Sequence, residues 1–275
     1  MSNEWLEIVP LALEALTRRW SLTSVSDRIE CDDACCSWIG FATRDDGRRT
    51  VLKFGMPHME GRDEIAGLRF WNGDGVVRLL EADDTWNAML LERCEPGTSL
   101  RALPEAEQDV VIATLLRRLW KPVPTSTVFR PLSAMIDYWN TEARAREAEW
   151  PDASLVEAGL RTFDELVRST ATNVLIATDL HAGNVLCAQR EPWLVIDPKP
   201  FVGDPAYDGS QHLLNCRVRL VQEPLGTVER FADLLGVDAE RLGRWTFARV
   251  AAEPFNDWND PMLSTLAKRL SASWS

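Results

Sequence analysis

The chain has 275 residues, 45% hydrophobic and 26% charged, a composition that excludes a disordered protein. Its 42 acids against 30 bases give a net charge of −12, which argues against a nucleic-acid partner because phosphate backbones need a basic face. No apolar run approaches the roughly 18 residues of a membrane span, and acids stand where a signal peptide needs bases, so a cytoplasmic protein without membrane attachment is expected.

Trp5, Ile8, Val9, Ala12, Leu13, Leu16 and Trp20 recur every three or four residues and predict an amphipathic helix over 5–20. Two apolar segments, 37–43 and 50–54, flank Asp46-Gly47 and predict a hairpin. A helix is expected over 59–71, stopped by Gly73-Asp74-Gly75, then strands at 76–80 and 88–92. The polar stretch Arg93-Cys94-Glu95-Pro96-Gly97 has turn chemistry. Beyond it helices are expected near 104–119, 132–148, 153–170, 205–216, 227–236, 238–252 and 260–271. They are interrupted by short apolar runs at 174–176, 185–187 and 193–196. The chain therefore reads as α+β in two lobes: β-rich 1–95 and mainly helical 96–275. Cys31, Cys35, Cys36, Cys94, Cys187 and Cys216 show no metal or redox spacing and are expected to be reduced thiols.

The densest polar cluster is Thr178-Asp179-Leu180-His181-Ala182-Gly183-Asn184, at the end of a buried strand. A carboxylate there can accept a hydroxyl proton, and an Asn carbonyl is a hard magnesium ligand. Further on, Trp193-Leu194-Val195-Ile196 ends in Asp197. Two strand ends joined by a hairpin would bring Asp179, Asn184 and Asp197 around one point, a magnesium–phosphate arrangement. Lys53 stands in an otherwise apolar strand, where an ammonium needs a partner; Glu64 on the following helix is the natural one. Ahead of it Asp32-Asp33-Ala34-Cys35-Cys36-Ser37 lies where a phosphate-covering loop belongs, but without glycine.

These blocks, with Val77-Arg78-Leu79-Leu80, Met89-Leu90-Leu91-Glu92-Arg93 and Gly203-Asp204-Pro205-Ala206-Tyr207-Asp208, resemble the aminoglycoside phosphotransferases. The branch most similar is that of the streptomycin and hydroxyurea resistance kinases. The resemblance implies a protein-kinase-like fold and transfer of the ATP γ-phosphate to a small-molecule hydroxyl. By position, Asp179 would be the catalytic base, and Asn184 and Asp197 would hold Mg2+. Lys53, steadied by Glu64, would bind the α/β-phosphates, with Ser37 in the covering segment and adenine on the backbone near Glu92 and Cys94. Asp208 would support the catalytic loop, His181 would pack within it, and Lys199 would sit near the phosphates.

The family's usual His-Gly before the catalytic Asp is here Ala177-Thr178, which implies altered loop support. Glu253, Asp257 and Trp258 set acids beside an aromatic ring and would suit a guanidinium- or amine-bearing acceptor. The charge adds nothing to that expectation, since the acidity is spread over both lobes. A kinase of another metabolite hydroxyl and a non-catalytic pseudokinase are the alternatives. The oligomeric state is left open between monomer and homodimer.

Overall fold

Trp5, Val9, Ala12, Leu16 and Trp20 form one stripe down α1 (Asn3–Arg19), and burying that stripe organises the first part of the chain. The structure is a computed structural model and describes residues 3–29, 37–56 and 58–273. It divides into two compact units, Met1–Thr98 with Leu186–Lys199, and Ser99–Val185 with Pro200–Ser275.

In the first unit five antiparallel strands make one sheet: β1 (Leu22–Val25), β2 (Ser37–Arg44), β3 (Arg49–Gly55), β4 (Leu79–Asp83) and β5 (Ala88–Glu92), in the order β1-β2-β3-β5-β4. The hairpin β2–β3 turns at Gly47, whose φ of +80° suits glycine. β1 is too short for its alternation to be read from sequence. Leu52 pairs with Leu90 and Phe54 with Ala88, and all four join the core that buries the α1 stripe. Lys53, one residue out of phase, points to the other face beside Met89. On that side lies α2 (Glu64–Trp71), preceded by a 3-10 turn, Glu60–Asp63.

The strand expected over 76–80 starts only at Leu79, because Val76 and Val77 are bonded elsewhere. Val77 N–H donates to Val195 O (3.0 Å) and Val195 N–H to Gly75 O (2.9 Å). This ties β8 (Trp193–Val195), paired with β7 (Val185–Cys187), to the first unit. Arg190, between them, donates to Glu92 (2.9 Å), Gly73 O (2.8 Å) and Val76 O (2.9 Å). The division in space thus differs from one cut near residue 95 of the sequence: 186–199 pack with the sheet lobe.

The second unit holds α3 (Glu105–Leu119), α4 (Leu132–Ala145), α5 (Ala153–Arg168), α6 (Pro205–Asn215), α7 (Arg217–Gln222), α8 (Pro224–Leu235), α9 (Ala239–Ala252) and α10 (Pro261–Ser273). α7 was not anticipated, and α8 starts earlier than expected, with Pro224 in its first turn. α9 is buried on every side from Trp245 to Ala252. α5 can lie close against it because Gly159 faces Ala251 and Ala252, where a Cβ would come within 2.9 Å of both. Trp139, Phe163, Tyr207 and Trp245 link α4, α5, α6 and α9 through ring contacts of 5.2–6.4 Å. A short antiparallel pair, β6 (Val174–Ile176) with β9 (Phe201–Gly203), is buried among these helices. Among the described residues no helix is long and apolar enough to cross a membrane. Cys94, Cys187 and Cys216 are free thiols; Cys31, Cys35 and Cys36 lie outside the described residues.

Candidate active site

β6 is apolar throughout and buried, so the chain leaves the core only at its end, and there it turns sharply. Thr178 has φ +47° and Asp179 N–H donates to Ala177 O (2.7 Å), a γ-turn of the strained, positive-φ kind. A β-branched residue in that region is a genuine outlier, and it stands where the family resemblance places glycine. What holds the turn is Asp208 in the first turn of α6, fully buried. Its Oδ2 accepts from Ala177 N–H (2.9 Å) and Trp120 Nε1–H (2.9 Å), and its Oδ1 from Thr178 N–H (2.7 Å). Burial pushes this carboxyl up to about 6, the three N–H donors notwithstanding. Loop support thus comes from Asp208 and Trp120 in a chain that has alanine at position 177.

The turn presents Asp179 partly exposed. Gln211, one turn beyond Asp208 on α6, donates from Nε2 to Asp179 Oδ1 (2.6 Å). The sequence reading did not single out Gln211. Its signal was the three-residue spacing from Asp208, which puts both on one helix face. His181 Nδ1 accepts from Gly183 N–H (3.0 Å) and caps the short turn Ala182–Asn184. Asn184 Nδ2 donates to Asp179 O (3.0 Å), which leaves Oδ1 as the acceptor of that side chain, the atom a hard cation takes.

In the first unit Lys53 Nζ donates to both oxygens of Glu64 (2.6 and 2.7 Å) and to Asp197 Oδ1, which also accepts from Lys199. Burial alone would lower the pKa of Lys53; Asp197 and Glu64 outweigh it and raise it above the ordinary lysine value. Burial would likewise raise Asp197, but the ammonium groups of Lys53 and Lys199 hold it well below the usual carboxylate range. Asp197 is therefore an anion, and with φ +54° it stands two residues beyond the end of β8. An aspartate carboxylate of this kind is an oxygen donor that suits a hard cation such as magnesium.

Glu92 spends its side chain on Arg190 and Arg78 N–H, and its own N–H donates to Arg78 O (2.9 Å). Cys94 is buried and its thiol is pushed up to about 12 by burial and by Glu92. Ser37 is buried at the start of β2, and its carbonyl accepts from Arg28; residues 32–36 of the expected covering loop lie outside the described residues. The three residues expected at the acceptor have internal partners. Glu253 pairs with Arg249 (2.9 Å), Asp257 caps Asn259 N–H (3.0 Å), and Trp258 packs edge-on against Trp150 and under Arg146. A carboxylate already neutralised by a buried guanidinium offers little to a cationic ligand.

A family model described as aminoglycoside/hydroxyurea antibiotic resistance kinase matches residues 19–257. The chain is 35% identical to streptomycin 6-kinase of Streptomyces glaucescens, over 97% of this chain and 90% of that protein. It is 34% identical to hydroxyurea phosphotransferase of Kitasatospora aureofaciens, over 90% of this chain and 73% of that one. Among solved structures it is similar to choline kinase LicA from Streptococcus pneumoniae, with TM-score 0.66 over 97% of this chain and 99% of that one. At 14% identity that likeness is one of fold, protein-kinase-like and α+β as the sequence implied.

Proposed function

The chain belongs to the aminoglycoside/hydroxyurea antibiotic resistance kinase family, and from that premise we propose that it moves the γ-phosphoryl group of ATP, with Mg2+, to a hydroxyl of streptomycin or a related aminoglycoside. Hydroxyurea is the alternative acceptor, on the strength of the second relative. Its dependence on ATP supports a cytoplasmic site of action. The observation that carries the chemistry is the Asp179 turn: one carboxylate aimed by Asp208, Asn184 and Gln211 at the end of a rigid strand.

Mg·ATP, when bound, supplies the phosphoryl group and the cation that neutralises its departing charge. The chain's residues do the positioning. Asp179 accepts the proton of the acceptor hydroxyl, with Gln211 holding Oδ1 so that the carboxylate does not rotate away. Asn184 and Asp197 would hold the metal through their oxygens. Lys53, kept charged and oriented by Glu64, would bind the α- and β-phosphates, and the backbone near Glu92 and Cys94 would take the adenine. Phosphoryl transfer through a loose transition state needs positioning and charge more than covalent help, and these groups supply both.

The test is ADP release in the presence of Mg·ATP and a panel of streptomycin, other aminoglycosides, hydroxyurea and simple metabolite alcohols. Turnover confined to one acceptor class identifies it. Asp179→Asn is expected to lower turnover at least ~100-fold with ATP affinity nearly intact. Mg·ATP binding with no turnover on any acceptor would refute the activity and leave a nucleotide-binding pseudokinase.

A further inference from the structure

His212 and Cys216 stand four residues apart, one turn, at the C-terminal end of α6, and Asp109 of α3 packs against them. Asp109 Oδ1, His212 Nε2 and Cys216 Sγ all lie within 4.8 Å of one another. Nε2 is the shared corner, 2.8 Å from Oδ1 and 3.8 Å from Sγ. All three residues are buried, at 7%, 0% and 2% exposure, and none takes part in the phosphoryl transfer described above. An oxygen, a nitrogen and a sulfur converging in this way are the donor types of zinc, whose tetrahedral ligand atoms stand roughly 3.3–3.6 Å apart.

The charges also call for a cation. Burial opposes ionisation of Asp109, but His212 and Arg219 outweigh it and hold the carboxyl below its ordinary value. Burial, with Glu105 adding to it, pushes the Cys216 thiol up to about 11, so it stays protonated. Asp109 and Glu105 therefore face one guanidinium, Arg219 of α7, with one negative charge in excess. Arg230, which also feels Asp109, is spent on Glu223 (2.9 Å). A dication that displaces the thiol proton to solvent brings the group to neutrality. Asp109 can give it Oδ1 and keep Oδ2 on Arg219 Nη1 (2.6 Å), the kind of outer partner that steadies a ligating carboxylate. His212 can give it Nε2, its proton moving to Nδ1, which has no hydrogen-bond partner among the described residues in either tautomer.

We infer that Asp109, His212 and Cys216 form a metal site apart from the active site, taking a transition-metal dication of the zinc class through Oδ1, Nε2 and Sγ, with water or Glu105 in the fourth position. Thiolate and imidazole select such an ion over Mg2+. The ion pins α3 to α6, the helix that carries Asp208 and Gln211. The inference is independent of the kinase reading.

The experiment is titration of full-length protein, freed of metal with EDTA and desalted, with Co2+ as a spectroscopic probe and with Zn2+ in thermal melts. Wild type is expected to take up Co2+ with a thiolate-to-metal charge-transfer band that Zn2+ abolishes and excess Mg2+ leaves alone. Zinc at about 100 times its Kd should raise the melting temperature by roughly 5–10 °C. Cys216→Ser should lose the band, His212→Gln should weaken binding more than about 10-fold, and Cys187→Ser should behave as wild type. Metal-free melts establish that each variant is folded; if Cys216→Ser is not, Cys216→Ala carries the same expectation. Wild type without the band at saturating Co2+ overturns the inference. So does a band that survives Cys216→Ser or vanishes in Cys187→Ser, since the thiolate would then lie elsewhere.

Discussion

Lys53→Met removes the cation from a buried pair and leaves Glu64, at 2% exposure, without the ammonium that both of its oxygens now share. Asp197 keeps Lys199, so the cost falls on Glu64. Removing one partner of a buried ion pair costs about 3–5 kcal/mol, through desolvation of the charge left behind. At about 2–4 °C per kcal/mol for a chain of this size, the melting temperature should fall by roughly 6–20 °C. The pKa of Lys53 is raised, so its contribution is complete below the ordinary lysine value and lost only as pH climbs through the raised one. Removing Lys53 also raises the already elevated Glu64 carboxyl further, so the orphaned group takes up a proton at lower pH and the loss in Lys53→Met should be smaller at pH 6 than at pH 9. Because the penalty is an orphaned charge and not a missing contact, Lys53→Met/Glu64→Leu should recover most of it, with a coupling of at least about 2 kcal/mol. Tryptophan fluorescence during urea and thermal unfolding reads all three proteins. A single variant within about 1 kcal/mol of wild type, or a double variant that is simply additive, would refute the reasoning.

Asp208 gives a pH dependence of defined sign. Its carboxyl stands at about 6 when folded against an ordinary 3.8, so between those values the folded chain holds a proton the unfolded one releases. This contribution is full below about pH 4 and is lost as pH rises to about 6, by about 3 kcal/mol at 1.36 kcal/mol per unit. Urea melts at pH 4 and 6.5 should show a fall in wild type that Asp208→Asn lacks; an equal fall in both would contradict the assignment. Thr178→Gly should be more stable than Thr178→Ala by roughly 1 kcal/mol, since only alanine keeps the cost of φ +47°; the opposite order in melting experiments would mean that the turn is unstrained. Gln211→Leu should lower kcat roughly tenfold, the worth of one charge-assisted bond. Gln211→Glu should in addition move the acidic limb of kcat/KM to higher pH, because a second carboxylate disfavours ionised Asp179; an unmoved pH profile would deny Gln211 its orienting role.

Local pattern revealed much of the fold. The α1 stripe, the 37–54 hairpin and most second-unit helices follow from apolar spacing and turn residues, because periodicity is a property of consecutive positions. Where the reading slipped, a distant partner had intervened. Val76 and Val77 look like a strand start, but Val195 and Gly75 claim the hydrogen bonding there, so β4 begins three residues later. β9 and α7 are too short to carry a period of their own.

The sequence by itself determined the family and marked the candidates for its chemistry: Asp179, Asn184 and Asp197 at the ends of apolar runs, Lys53 misplaced among hydrophobic residues, and Glu64 on the next helix. Burial economics make such polar residues conspicuous in a linear chain. Only the tertiary structure decided how they are held. It showed Asp208 and Trp120 clamping the turn before Asp179, Gln211 on its carboxylate, Lys199 sharing Asp197 with Lys53, and Glu253 withdrawn into a pair with Arg249. Hydrogen bonds and ion pairs join residues tens to more than a hundred positions apart. Their partners are set by strand register and helix packing, which no stretch of sequence encodes alone.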